Sequence, residues 1–255
     1  MQPGCSIASF KLEVADALAL AASAGFKAVE LDWPMVERQL FGPRDGAQTL
    51  RSLLRDHDLQ LAAVHGGVVS ASRVDQQRLQ IQRFTALTRR IVEFGCRRLV
   101  LSPGSRTLEN FNSLIAVLSR LADDAEPLGA KILLANRLDS RIEDRRDLLA
   151  VFLGSALQKV ELCLDVLNFH LAVVDPSEVI REHRQRLALV RLSNATGPAP
   201  AVLDKGELDV PNLITLLKET GYDGPLLVDN LPAAGTEHLG RQLRQTREYL
   251  EGLLT

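Results

Sequence analysis

Residues 24–31 read Ala24-Gly25-Phe26-Lys27-Ala28-Val29-Glu30-Leu31, and this stretch decides the fold. Its first residue ends an amphipathic run from Leu12 to Ala24, in which Val14, Ala17, Leu18 and Ala21 share one helical stripe. Its last four residues open a short apolar run with the length of a strand. Gly25 stands between them, where a chain leaving a helix adopts the left-handed conformation that only glycine takes without a steric penalty. The same junction recurs at Phe94-Gly95-Cys96-Arg97, Leu128-Gly129-Ala130-Lys131 and Thr220-Gly221-Tyr222-Asp223.

Outward from these junctions the chain resolves into strands and helices in alternation. The strands are expected at Cys5–Ser9, Ala28–Leu31, Leu59–His65, Arg98–Leu101, Lys131–Leu134, Val160–Leu164, Leu187–Leu192 and Pro225–Val228. Further helical patterns run over Gln77–Glu93, Leu108–Ala125, Asp144–Phe152, Val210–Thr220 and Glu237–Leu253. The intervals Arg38–His57 and Phe169–His183 each have room for a helix. A βα period of about 30 residues repeated about eight times is the rhythm of a parallel sheet. Near-continuous apolar strands suit a sheet covered on both faces. Eight units in 255 residues without a Pro/Gly/Ser-rich linker predict an α/β fold, a single (β/α)8 TIM barrel spanning residues 1–255 as one domain. An open nucleotide-binding sheet would need a glycine fingerprint. Ser102-Pro103-Gly104-Ser105 lacks that spacing and reads as a βα turn.

The composition is that of an ordinary globular domain, 46% apolar and 24% charged. Lys and Arg number 30 against 32 Asp and Glu, so no polycationic surface marks a nucleic-acid ligand. Cys5, Cys96 and Cys163 lie too far apart for a zinc knuckle or redox pair, and an odd count fits a reducing compartment. With neither a secretory pattern nor an apolar run near the roughly 20 residues of a membrane span, a cytoplasmic location is expected. The expected partner is a small polar substrate or ligand, not nucleic acid or a membrane, with a homodimer as the assembly to consider.

Function in such a barrel sits at the C-terminal ends of the strands. The polar residues there are Glu30 and Asp32, His65, Ser102, Asn136 and Arg137, Asp165 and Asn168, Arg191 with Ser193 and Asn194, and Asp229 with Asn230. Strand ends meet water, so any one of them has an ordinary explanation; their gathering at one end is the stronger signal, since burying unpaired polar groups costs about 1–3 kcal/mol each.

These residues and the motifs around them resemble the xylose isomerase-like TIM barrels, sugar (phosphate) isomerases and epimerases related to endonuclease IV. The resemblance covers nearly the whole chain. It rests on the stretch from Gly25 to Leu31, on Leu61-Ala62-Ala63-Val64-His65, and on Leu162-Cys163-Leu164-Asp165 with Asp175-Pro176 after it. Lys205-Gly206-Glu207-Leu208-Asp209 and Thr220-Gly221-Tyr222-Asp223-Gly224-Pro225-Leu226-Leu227-Val228 complete it. The resemblance implies one divalent metal held by a Glu, an Asp, a His and a second Glu from strands five to eight. This chain departs from that pattern. Ala135 stands at the first Glu, Asp165 is kept, Asn168 replaces a His that usually follows the Asp, Arg191 replaces the ligand His, and Asp229 replaces the last Glu. Asp165 and Asp229 are thus remnant positions, and no cofactor is expected, a divalent metal being the alternative.

A guanidinium has donors only and stays protonated, so Arg191 cannot ligate a cation. Parity along the strand places it on the face of Leu189 and Ser193, as Asp165 shares a face with Cys163 and Asp229 with Leu227. Arg191 is therefore read as an electrostatic substitute for the metal, paired with Asp165 and Asp229; a structural ion pair is the alternative. Asp165, Asp229 and His65 are the candidate catalytic residues, and Glu30, Asn136, Arg137, Asn168, Arg191 and Asn194 the candidate substrate-binding residues. Glu30 has the alternative role of pairing with a strand-end cation such as Arg137 or Arg191, and His65 that of a buried histidine bonding a loop. His57, His170, His183 and His238 read as solvated, Arg141–Arg146 as a charged helix face, Cys163 as a packed thiol, and Trp33-Pro34 as a pocket wall or a packing element. Two functions follow: a metal-independent isomerase or epimerase of a sugar or hydroxy/keto acid, or a non-catalytic binding or assembly protein on the same barrel. DNA repair in the manner of endonuclease IV would need a histidine-rich metal cluster and a basic groove, and neither is in the sequence.

Overall fold

A computed structural model describes residues 1–41, 46–70, 73–107, 110–153, 155–232 and 235–255. The chain begins β1 (Gln2–Ser6), α1 (Val14–Ser23), β2 (Ala28–Asp32), α2 (Trp33–Phe41), α3 (Gly46–Asp56) and β3 (Gln60–Val69). It continues α4 (Val74–Glu93), β4 (Arg98–Pro103), α5 (Phe111–Ala125), β5 (Lys131–Ala135), α6 (Arg145–Phe152), β6 (Glu161–Asp165), α7 (Val166–Leu171) and α8 (Pro176–His183). It ends β7 (Leu187–Leu192), β8 (Asn194–Thr196), β9 (Ala199–Ala201), α9 (Val210–Glu219), β10 (Pro225–Val228) and α10 (Thr236–Leu254). Eight of the strands close into a parallel barrel in the order β1-β10-β7-β6-β5-β4-β3-β2, while β8 and β9 form a separate antiparallel hairpin. The helix-to-strand junctions are left-handed at glycine: φ is 89° at Gly25, 80° at Gly95, 64° at Gly129 and 73° at Gly221.

Contacts divide the chain into two compact units, Met1–Ala63 with Val190–Thr255, and Val64–Leu189. In the first unit β1 lies between β10 and β2, with Gly4 level with both Leu227 and Ala28. On the far side of β10, Leu227 is level with Arg191 of β7. Helix α1 turns Val14, Ala17, Leu18 and Ala21 inward, the stripe read from the sequence, and packs against α10 and α3. In the second unit β4 pairs with β3 and β5, and β5 with β6. Helix α5 buries Leu114, Val117, Leu118 and Leu121 and packs on α4 and β5. Each such side chain contributes about 1.5–3 kcal/mol on leaving water.

Several boundaries differ from expectation. The first strand is Gln2–Ser6 rather than Cys5–Ser9. Its last ladder partner is Glu30 opposite Ser6, after which Ile7 N–H donates to the Glu30 carbonyl and the chain enters a 3-10 turn at Ala8–Phe10. Ile7 supplied the apolar signal, but it is buried beyond the strand rather than within it. Strand β3 runs on to Val69, across a register shift between His65 and Gly67. The interval Arg38–His57 carries the end of α2 and all of α3, with residues 42–45 outside those described; α2 starts at once after β2 because the Asp32 carboxylate accepts from Met35 N–H at 3.2 Å. The interval Phe169–His183 carries α7 and α8, capped by Asp165 and Asp175. Of the helix expected at Leu108–Ala125, residues 108–109 lie outside those described, and Asn110 caps it. Arg141–Arg146 is no continuous helix face: α6 starts at Arg145, with Asp144 as its cap. His183 is not solvated. At 8% exposure it packs its ring 5.7 Å from that of Phe152, and burial lowers its pKa.

Candidate active site

In the first unit, Glu30 on β2 and Arg191 on β7 are both buried, and a bidentate ion pair joins them. Arg191 Nε donates to Glu30 Oε2 at 3.0 Å and Nη2 to Oε1 at 2.6 Å. Glu30 is 1% and Arg191 8% exposed, so the pair is a dry one whose charges must answer each other. This is the alternative role foreseen for Glu30. β2 and β7 are not neighbours in the barrel; β1 and β10 stand between them, so the pair spans two intervening strands.

Beyond β10, Ser193 Oγ donates to the Asp229 carbonyl at 2.9 Å, and Asn230 N–H donates to Asp229 Oδ1 at 2.8 Å. The first bond holds the Asp229 backbone and the second its half-buried side chain at the strand end. On β1 the Cys5 thiol has its pKa pushed up, first by complete burial and then by the Asp229 charge. Cys5 therefore stays a neutral, packed thiol rather than a nucleophile. Cys163 is likewise buried, as its parity indicated.

Asn194 is committed to its own loop. Its amide nitrogen donates to the carbonyls of Leu203 and Leu208, and its oxygen accepts from the N–H groups of Ala195 and Leu208. Gly206 closes the clamp, since a Cβ there would stand 2.1 Å from Asn194 Oδ1. The Lys205–Asp209 stretch thus has a physical role. Glu207 N–H bonds the Ala195 carbonyl, and Asp209 caps α9 by accepting from Asn212 N–H.

In the second unit, His65 Nε2 lies 3.0 Å from Ser102 Oγ, which places a buried hydroxyl against a half-buried imidazole. Asn136 Nδ2 donates to the Asp165 carbonyl at 2.9 Å and its Oδ1 accepts from Asp165 N–H at 2.8 Å. The side-chain amide thereby extends the β5–β6 ladder by one peptide-like pair, and it fixes the backbone of Asp165. The Asp165 carboxylate accepts from Asn168 N–H at 3.0 Å, while Asn168 Oδ1 accepts from Leu138 N–H at 3.1 Å. Arg137 leaves its side chain in solvent and uses its backbone N–H on the Ile142 carbonyl. The sequence reading passed over Arg106, which bonds Glu143 at 3.2 Å and also pairs with Asp147. Those bonds tie the loop after β4 to the loop after β5 and to the first turn of α6; the Arg-Glu-Asp composition was visible, but the partners are not adjacent in sequence. Trp33 is buried in the first turn of α2, a packing position.

The strand ends of the first unit thus carry the Asp229 carboxylate and the Arg191 guanidinium, and those of the second unit the Asp165 carboxylate and the His65 imidazole. Among the described residues, no group of three or more His, Cys, Asp or Glu side chains could hold a metal ion. No helix among them is long and apolar enough to cross a membrane.

No curated protein matches the sequence. Solved structures match it along its whole length. The IOLI protein with a bound zinc atom superposes with a TM-score of 0.83 at 16% identity, covering 100% of this chain and 98% of that one. A D-tagatose 3-epimerase-like protein gives 0.82 at 18% identity, over 100% and 97% of the two chains. D-psicose 3-epimerase with D-tagatose from Clostridium cellulolyticum H10 gives 0.81 at 13% identity, over 100% and 99%. At these identities the likeness is one of fold. The family model of the xylose isomerase-like TIM barrel matches residues 18–252, nearly the entire sequence, and the chain belongs to that family.

Proposed function

We propose that this protein is an enolising isomerase or epimerase of a small polyhydroxy carbonyl compound, a sugar, sugar phosphate or hydroxy/keto acid, that works without a resident divalent metal. The observation that carries the reading is the buried Glu30–Arg191 pair at the strand ends. Arg191 occupies the position where the family places a ligand histidine, and a guanidinium offers a cation no lone pair. Ala135 offers none either, and Asp229 reaches one methylene less far than a Glu. This donor set does not suit a divalent cation, so the chemistry is assigned to the side chains alone.

In the reaction a carboxylate removes the proton from the carbon beside the carbonyl. The C–H electron pair moves into a C=C bond, and the carbonyl oxygen becomes an enediolate oxyanion. Arg191 supplies the fixed positive charge that offsets this oxyanion, preorganised by Glu30 so that no reorientation is needed. Asp229, in the same unit as Arg191, is the base that takes up the proton and gives it back. Proton return to the same carbon from the opposite face gives an epimer, and return to the neighbouring carbon gives an isomer. Asn136, Asn168 and Asn194 act by holding the strand ends, because their amides are engaged by backbone groups.

A second reading, ligand binding without turnover, is favoured by Ala135, which deletes the acid the family would place there. Solvent-deuterium exchange separates the two. The chelator-treated protein is incubated in D2O with a panel of aldoses, ketoses, their phosphates and keto acids, and carbon-bound deuterium is followed by NMR. Incorporation into one substrate class, lost in Asp229→Asn, supports the enzyme. Saturable binding with no incorporation anywhere in the panel supports the second reading.

A further inference from the structure

Helix α7 ends on a left-handed residue that is not glycine. Val173 N–H donates to the His170 carbonyl at 3.0 Å and Val174 N–H to the Phe169 carbonyl at 2.8 Å, with a φ of 58° at Val173. This pair of bonds closes a helix end at which glycine is the usual residue, because it has no Cβ to crowd the carbonyls. The junctions before β2, β4, β5 and β10 keep to that rule. Among the described residues, the other positive-φ positions without glycine hold Lys11, Asp58, Asp139 and Asn230. A β-branched residue there is a genuine outlier. Val173 is also 94% exposed. A strained backbone and an apolar side chain in water are two separate costs at one residue, and a side chain so exposed offsets neither within the chain.

Beside Val173 the surface opens into a groove of about 360 Å3, lined by Asp144, Arg145, Arg146, Leu149, Val174 and Glu182. Its walls are α6 and α8, and Arg145 ties them together through ion pairs with Glu178 and Glu182. Leu149 is 52% exposed, and Leu153, one turn further on, faces water as well. Knob and groove both belong to the second unit.

A knob at the edge of a groove makes the surface self-complementary. In a two-fold contact residue i meets j and j meets i, so each copy's knob can enter the other's groove. The charges agree with this. Asp175, two residues past the knob, and Arg146, on the groove's rim, are both exposed, and neither makes an ion pair among the described residues. The two-fold arrangement brings each Asp175 toward the other copy's Arg146. The groove itself holds two acids and two bases, so a partner of strong net charge gains nothing there. We propose that this face of α6 and the α7–α8 turn is the contact for a second copy of the chain, with Val173 of each copy seated against Leu149 and Val174 of the other.

Sedimentation equilibrium of the full-length protein, from micromolar to submillimolar concentration, measures the association, with each variant checked for native circular dichroism. The parent should be a reversible dimer. Val173→Gly, Leu149→Asp and Arg146→Glu should each weaken it at least about tenfold. Leu79→Asp, at an exposed leucine of α4, should leave it unchanged. Thermal melts at concentrations where the protein is monomeric separate association from folding. There Val173→Gly should melt no lower than the parent, because glycine takes a φ of 58° freely. A parent that stays monomeric throughout overturns the proposal and gives the surface to a different protein. So does a dimer whose dissociation constant is unchanged in the three variants, or one lost in Leu79→Asp instead. A Val173→Gly monomer melting well below the parent also overturns it, since the side chain would then be packed within its own chain.

Discussion

Replacing Arg191 by Met would leave Glu30, 1% exposed, without the two N–H donors that face it. For exposed pairs such a loss is worth at most about 1 kcal/mol. Here both partners are buried, and removing one member of a buried pair costs about 3–5 kcal/mol. For a chain of this size, each kcal/mol moves the melting temperature by about 2–4 °C, so Arg191→Met should melt roughly 6–20 °C below the parent at pH 7. The double variant Glu30→Met/Arg191→Met removes both charges, and its loss should fall well short of the sum of the two singles. Thermal melts of parent, singles and double close the cycle. A loss under 1 kcal/mol in Arg191→Met, or additivity in the double, would refute the argument that the pair is a buried, coupled unit.

Further outcomes follow from the same contacts. Asn136→Ala removes both bonds to the Asp165 backbone and should cost about 1–3 kcal/mol by urea denaturation at unchanged m-value, with the strand end loosened around Asp165. Gly206→Ala sets a methyl against Asn194 Oδ1 and should cost about 1–3 kcal/mol, whereas Gly252→Ala, with nothing within 4 Å, should not destabilise. Burial holds the folded His183 pKa below its ordinary 6.5, with Arg186 and Arg145 adding to this and Glu182 opposing it. The unfolded chain therefore binds the extra proton first, so stability is full above about pH 6.5 and declines as pH falls below it. Melts from pH 8 to 5 should show that decline in the parent and a flatter profile in His183→Gln.

How much of this was legible in the sequence divides by the range of the interaction. The barrel was readable because its signals are local: a glycine with positive φ at four helix-to-strand junctions, an apolar strand behind each, and the repeat of both. The first strand was misplaced because Ile7 and Ala8 look like strand residues, yet the ladder with Glu30 stops at Ser6. Charge type at the strand ends was legible, but partnership was not. Glu30 and Arg191 lie 161 residues apart on strands that are not neighbours in the barrel, so only barrel closure identifies them as partners. Asn136 and Asn194 look alike as free amides in the sequence, and only the loop carbonyls and N–H groups around them show that both are engaged. His183 was read as solvated because its neighbours Glu182 and Arg184 are, while the helix turns the imidazole itself toward Phe152.

The central claim is that a protonated guanidinium stands where relatives of this fold would carry a ligand for a divalent cation. Elemental analysis tests it directly, on protein equilibrated with zinc, manganese and magnesium and then desalted. The account predicts far less than one equivalent of any of them, unchanged by Asp165→Asn or Asp229→Asn. One tightly held equivalent that disappears in those two variants would contradict it.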